Sequence, residues 1–202
     1  MPRELKPAFR ALWNLDLAFA DVVSTSSDPR LGAIRLAWWR ERLNELDEGK
    51  TAPAEPRLEA VAAHLLPHGM TGGKLSRLED AWEALLEPFP WGDRAAEGLK
   101  LRGRILFGIG ARLLGGQALD AEAAGAFWSL CDAASHCSDR ASIDYVSGEA
   151  RLAFARLTAT PRSVRGLTVL AALAGVDLLG GGGLGRFAAA VRHRLTGTFP
   201  HG

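Results

Sequence analysis

Apolar residues recur every three or four positions along most of this chain, and alternating apolar–polar runs are nearly absent. That spacing stacks side chains on one side of an α-helix but scatters them over both faces of a strand. The chain is thereby constrained to an all-α fold. The pattern is clearest around Leu31–Leu43, where Leu36, Trp39, Leu43 and Leu46 repeat at intervals of three and four. Leu31, Ile34 and Trp38 widen the stripe. Asp28-Pro29 reads as the start of this helix, because aspartate accepts from free N–H groups and proline at the first helical position lacks one. The adjacent Trp38 and Trp39 project about 100° apart, so at least one walls a cavity or an interface.

The same reading predicts helices over 8–23, 57–66, 71–86, 93–114, 120–137, 142–158, 161–174 and 184–195. With the tryptophan helix, the number is near nine. The loops between them carry proline, glycine and polar residues, most clearly over 48–56. A single helical domain spanning 1–202 is expected, long enough to bury roughly 70% of its unfolded surface. Gly98, Gly103, Gly108 and Gly110 recur within one predicted helix, which points to close helix–helix approach, since glycine otherwise costs about 1 kcal/mol there. The glycine run at 180–183 lacks the preceding strand and the ribose-binding acid of a dinucleotide site and reads as a hinge. Gly72-Gly73-Lys74 likewise fails as a phosphate loop.

A net charge of +1 removes any strong electrostatic case for nucleic acid. Cys131 and Cys137 are the only cysteines, so no disulfide framework supports the fold, and a cytoplasmic setting is expected. Six residues apart, they face different sides of a helix, and no second Cys/His cluster completes a zinc site. His64, His68, His193 and His201 are scattered and receive no catalytic role. The N-terminus lacks the apolar run of a signal peptide, and 164–179 is too short and too charged to span a bilayer. Peripheral contact with the inner membrane stays open.

The segment Leu31-Gly32-Ala33-Ile34-Arg35-Leu36-Ala37-Trp38-Trp39-Arg40-Glu41-Arg42-Leu43 resembles the squalene/phytoene synthase family. Upstream "ALWNLDLAFADVV" and downstream "HRLTG" strengthen the resemblance, which runs in patches from Ala11 to Gly197. The likeness is nearest to the short, non-carotenoid bacterial members and to the related mitochondrial complex I assembly factor. It implies an isoprenoid-synthase-like helical bundle. In catalytic members two aspartate-rich motifs bind magnesium, which holds the diphosphate substrate. Magnesium favours near-octahedral oxygen ligands, and ionising an allylic diphosphate requires its developing charge to be stabilised.

Laid on this chain, the first motif, D-D-x-x-D, falls on Ala20-Asp21-Val22-Val23-Ser24, where only Asp21 keeps its carboxylate. Asp16 lies about 140° around the helix and is a poor substitute. The second motif, N-x-x-x-D with a further acidic pair, falls on 132–140. There Asp132 stands for the asparagine, His136 for the aspartate and Arg140 for the last acid. Spacings of four and three put Asp132, His136 and Asp139 on one helical face. That face is either a solvated surface or the lining of a remnant pocket. Arg35 and Arg42, seven apart, either meet a diphosphate, lipid head or partner carboxylate, or form a solvated side balanced by Glu41 and Glu45. Trp38 and Trp39 either pack in the core or line a ligand site.

Three functions follow. The first is a non-catalytic member that binds a lipid-like ligand or a partner protein, as in respiratory-complex assembly. Its candidate contacts are Arg35, Trp38, Trp39 and Arg42, and no cofactor is expected. The second is an active prenyl diphosphate transferase, with magnesium on Asp21, Asp132 and Asp139 and with His136 among the residual catalytic candidates. The third is a ligand-free helical interaction module.

Overall fold

The computed structural model of the chain describes residues 2–200; His201 therefore lies outside the described residues. Every regular element among them is helical, with ten α-helices and three short 3-10 turns. The chain divides into two compact units, Met1–Pro88 and Phe89–Gly202.

The first unit contains α1 (Lys6–Ser24), α2 (Pro29–Asp47), α3 (Pro56–His64), α4 (Gly72–Ser76) and α5 (Leu78–Glu83). Helix α1 packs on α3 and α5, and α2 packs on α4 and α5. Between them lie Leu12, Leu15 and Phe19 of α1, Leu36 and Leu43 of α2, and Leu58 and Val61 of α3, all fully buried. The expected start of α2 is observed, with the Asp28 carboxylate accepting from the Arg30 N–H at 2.8 Å. The run predicted as one helix over 71–86 is instead α4, α5 and a 3-10 turn. The Ser76 hydroxyl donates to the Gly73 carbonyl at 3.1 Å, a back-bond that bends and weakens a helix. The free N–H groups of Gly72 and Gly73 are taken by the Asp47 carboxylate at 2.6 and 2.8 Å, tying α4 to the end of α2.

The second unit contains α6 (Asp93–Leu113), α7 (Leu119–His136), α8 (Arg140–Phe154), α9 (Arg165–Leu178) and α10 (Gly183–Thr196). Helix α7 is central and packs against α6, α8 and α9, while α10 lies on α9. Its core includes Leu106, Phe107, Phe127, Leu130, Val146 and Ala171. The close approach expected from glycines in α6 is found at Gly103. A Cβ there would stand 2.0 Å from the Gly125 carbonyl oxygen of α7, and one on Gly125 would stand 2.2 Å from that of Gly103. Both helix backbones touch, and no side chain fits between them.

Helix α9 starts four residues later than predicted, because Pro161–Val164 forms a turn closed by the Val164 N–H on the Pro161 carbonyl at 3.2 Å. At its other end the N–H groups of Gly180 and Gly181 bond the carbonyls of Asp177 and Val176. The glycine run is thus a hydrogen-bonded cap leading into α10. The C-terminal end of α10 is anchored by the "HRLTG" residues. His193 is fully buried; its Nδ1 donates to the Thr198 carbonyl at 3.0 Å, and its Nε2 accepts from the Thr168 hydroxyl at 2.8 Å. Gly197 adopts φ +79°, and a Cβ on it would meet the Thr160 oxygen at 2.2 Å. No helix among the described residues is long and apolar enough to cross a membrane.

Candidate functional site

The candidate residues of the first unit are occupied by contacts within that unit. Trp39 is buried edge-on against Phe19, with ring centroids 5.9 Å apart, and against Trp38 at 5.3 Å. Trp38 itself is 40% exposed. Arg35 donates to the hydroxyls of Thr25 and Ser26, both at 3.1 Å. Those hydroxyls in turn donate to carbonyls of the last turn of α1. Arg42 pairs with Glu45 at 3.0 Å and Glu41 at 3.7 Å, so the balanced reading applies to it. Its Nε is buried and makes no hydrogen bond.

Arg40, which sequence reasoning passed over, carries the strongest charge contact on α2. It grips the carboxylate of buried Glu79 through both oxygens, at 3.1 and 3.0 Å. Burial pushes the Glu79 carboxyl above its ordinary range, and the neighbouring guanidinium offsets part of that rise. Asp21 is exposed and paired with Arg57 of α3 at 2.7 Å. Asp16, on the other side of α1, is buried and accepts from the Trp82 indole N–H at 2.9 Å.

The second unit contains a cleft of about 500 Å³ between α7, α8, α9 and the start of α10. Trp128, Ile143, Leu170, Leu173 and Leu178 give it an apolar wall. Among its polar lining are two carboxylates, Asp132 and Asp177, and two arginines, Arg151 and Arg186. Asp132 receives a hydrogen bond from Arg102 of α6 at 2.8 Å. Arg102 is buried, with its guanidinium 5.1 Å from the Trp128 ring centre. Asp177 is paired with Arg186. Arg151 sits exposed at the edge, with no acidic partner among the described residues. Cys131 also lines the cleft, and burial followed by the charges of Asp177 and Asp132 pushes its thiol up to about 12. It is a neutral thiol rather than a nucleophile at ordinary pH.

The expected shared face of Asp132, His136 and Asp139 is not formed. Helix α7 ends at His136, Cys137 is extended, and Asp139 is the N-cap of α8. The Asp139 carboxylate accepts from the Ser142 hydroxyl at 2.6 Å and its N–H at 2.8 Å, contacts that hold its pKa below the usual carboxylate value. An aspartate three residues before a serine captures the orphan N–H groups of a new helix, and this local preference overrides continuation of α7. His136 does lie near Asp132, with its exposed ring 2.8 Å from the Asp132 carbonyl. Arg140 pairs with Asp144 one turn along α8.

Among the described residues, no group of three or more His, Cys, Asp or Glu is arranged to hold a metal ion. Asp132 and Asp139, the two expected magnesium ligands in this unit, are each engaged by other groups. A cation approaching Asp132 would meet the charge of Arg102, and Asp139 is turned into a helix cap. The one sequence signal for this arrangement was Arg102 itself, set between Leu99, Gly103 and Leu106 on the apolar face of its helix. An arginine there requires a buried counter-ion.

Comparison of the chain with models of known families, with curated proteins and with solved structures found no match in any of the three.

Proposed function

We propose that this chain is a non-catalytic relative of the squalene/phytoene synthases that binds an anionic, lipid-like molecule in the cleft of its second unit. The observation that carries this reading is the pairing of both cleft carboxylates with arginines, which leaves Arg151 as the uncompensated charge beside an apolar wall. Small-molecule sites commonly combine apolar walls with a few polar groups that orient the ligand. A guanidinium at the edge suits the carboxylate or phosphate head of an amphiphile, and the wall suits its chain.

Two measurements test the proposal. Calorimetric titration with farnesyl diphosphate and with oleate, both without added metal, should show binding to at least one. Arg151→Glu should weaken it roughly tenfold, the scale of a lost hydrogen bond to a charged group. Absence of binding by both probes, or binding indifferent to Arg151→Glu, would overturn the cleft assignment. Incubation with magnesium and farnesyl diphosphate should yield no hydrocarbon; robust turnover would refute the non-catalytic reading.

A further inference from the structure

Helix α10 presents an apolar stripe that nothing in its own unit covers. Leu184, Phe187, Val191 and Leu195 are 89%, 71%, 43% and 73% exposed. At about 100° per residue they fall along one side of the helix. The opposite side is fixed to α9 by buried Ala189 and His193, so the stripe is held outward. Exposed Arg192 and Arg194 flank it on its two sides. No acidic residue occurs in α10, and from Arg151 to the end the sequence has seven arginines against one carboxylate, Asp177. That carboxylate is already paired with Arg186. A surplus of six cations thus gathers at one end of a chain whose net charge is only +1.

We propose that α10 is a docking surface for an anionic lipid bilayer, lying in the plane of the interface with Leu184, Phe187, Val191 and Leu195 in the acyl boundary. Arg192 and Arg194 sit at the level of the head groups. An apolar stripe with arginine flanks is the pattern of interfacial helices, which gain both from buried apolar area and from attraction to anionic lipid. A second copy of this chain is a poorer occupant. Two such helices packed stripe to stripe would bring arginines together with no carboxylate between them. This inference does not depend on the cleft and would survive its refutation.

Flotation of the full chain with vesicles tests it. The protein should rise with phosphatidylcholine vesicles containing phosphatidylglycerol and not with phosphatidylcholine alone, and the bound fraction should fall as salt is raised. Phe187→Ser should weaken binding roughly tenfold, the scale of withholding an aromatic side chain from an apolar phase. Reversal of Arg192 and Arg194 to glutamate should cost about fivefold or more per charge. Because these side chains are exposed, the variants should keep the parent's circular dichroism and melting temperature. In Phe187→Trp, brominated acyl chains should quench fluorescence beyond that of the parent. Binding that ignores lipid charge, or that survives Phe187→Ser, would overturn the proposal. So would a vesicle-indifferent dimer that Phe187→Ser dissociates, which would assign the stripe to a second copy.

Discussion

Helices α2 and α10 each turn apolar side chains outward, and they differ in what stands beside them. On α2, Leu31, Ile34 and Trp38 are exposed, and three of the helix's four arginines already have partners: Arg35 on two hydroxyls, Arg40 on Glu79, Arg42 on Glu45. On α10 a longer stripe is flanked by arginines and no carboxylate. Exposed apolar area alone therefore does not identify an occupant. The residues that made α2 conspicuous, its tryptophans and arginines, are largely consumed in holding its own unit together. The plainer helix spends Arg186 on Asp177 and leaves Arg192 and Arg194 without a carboxylate among the described residues.

The sharpest test lies within α2. Trp39→Ala should cost about 3 kcal/mol or more in denaturant unfolding, the range for emptying a buried aromatic site. Trp38→Ala, at a half-exposed position, should cost under about 1 kcal/mol. Equal losses would erase the division between a buried and an outward tryptophan. A smaller effect should separate the arginines. Arg40→Ala strands the buried Glu79 carboxylate and should destabilise by roughly 2 kcal/mol, below the figure for a fully buried pair because Arg40 is itself half exposed. Arg194→Ala should change stability by no more than about 0.5 kcal/mol. If the arginine of α10 proved the costlier to remove, its charge would be structural and the contrast would fail.

The smallest effect concerns pH. Burial lowers the pKa of His193 from its ordinary value of 6.5. The unfolded chain therefore takes up this proton first as pH falls. The stabilisation is fully present above pH 6.5 and is lost as pH drops through the lower folded-state value. A charged ring would be a buried cation close to Arg165, so the seam between α9 and α10 should loosen. Melting temperature followed from neutral to mildly acidic pH should decline in the parent and decline less in His193→Gln. A parallel decline in both would place the titrating group elsewhere.

Much of the helical layout was legible because it rests on local rules. The Asp28-Pro29 start, the long run closing at Leu113 and the end of α7 near Cys137 all follow from capping residues and apolar spacing. The predicted helix boundaries at 137 and 142 already placed Asp139 between two helices, so its assignment to the α7 face conflicted with the same sequence. Contacts between distant residues were hidden. Nothing local joins Arg40 to Glu79, or Arg102 to Asp132, since only the packing of separate helices brings each pair together. Arg151 was hidden for the same reason: its lack of an acidic partner can be seen only once the neighbours are in place.

The backbone contact between Gly103 and Gly125 works as an alignment mark between two helices. Gly103 adjoins Arg102, and Gly125 lies seven residues, about two turns, before Asp132 on the same side of α7. Fixing where the helices touch fixes the height at which the guanidinium meets the carboxylate. A methyl group at either glycine would push the two cylinders apart or shift one along the other. The electrostatics of the cleft would then change through residues that never touch it.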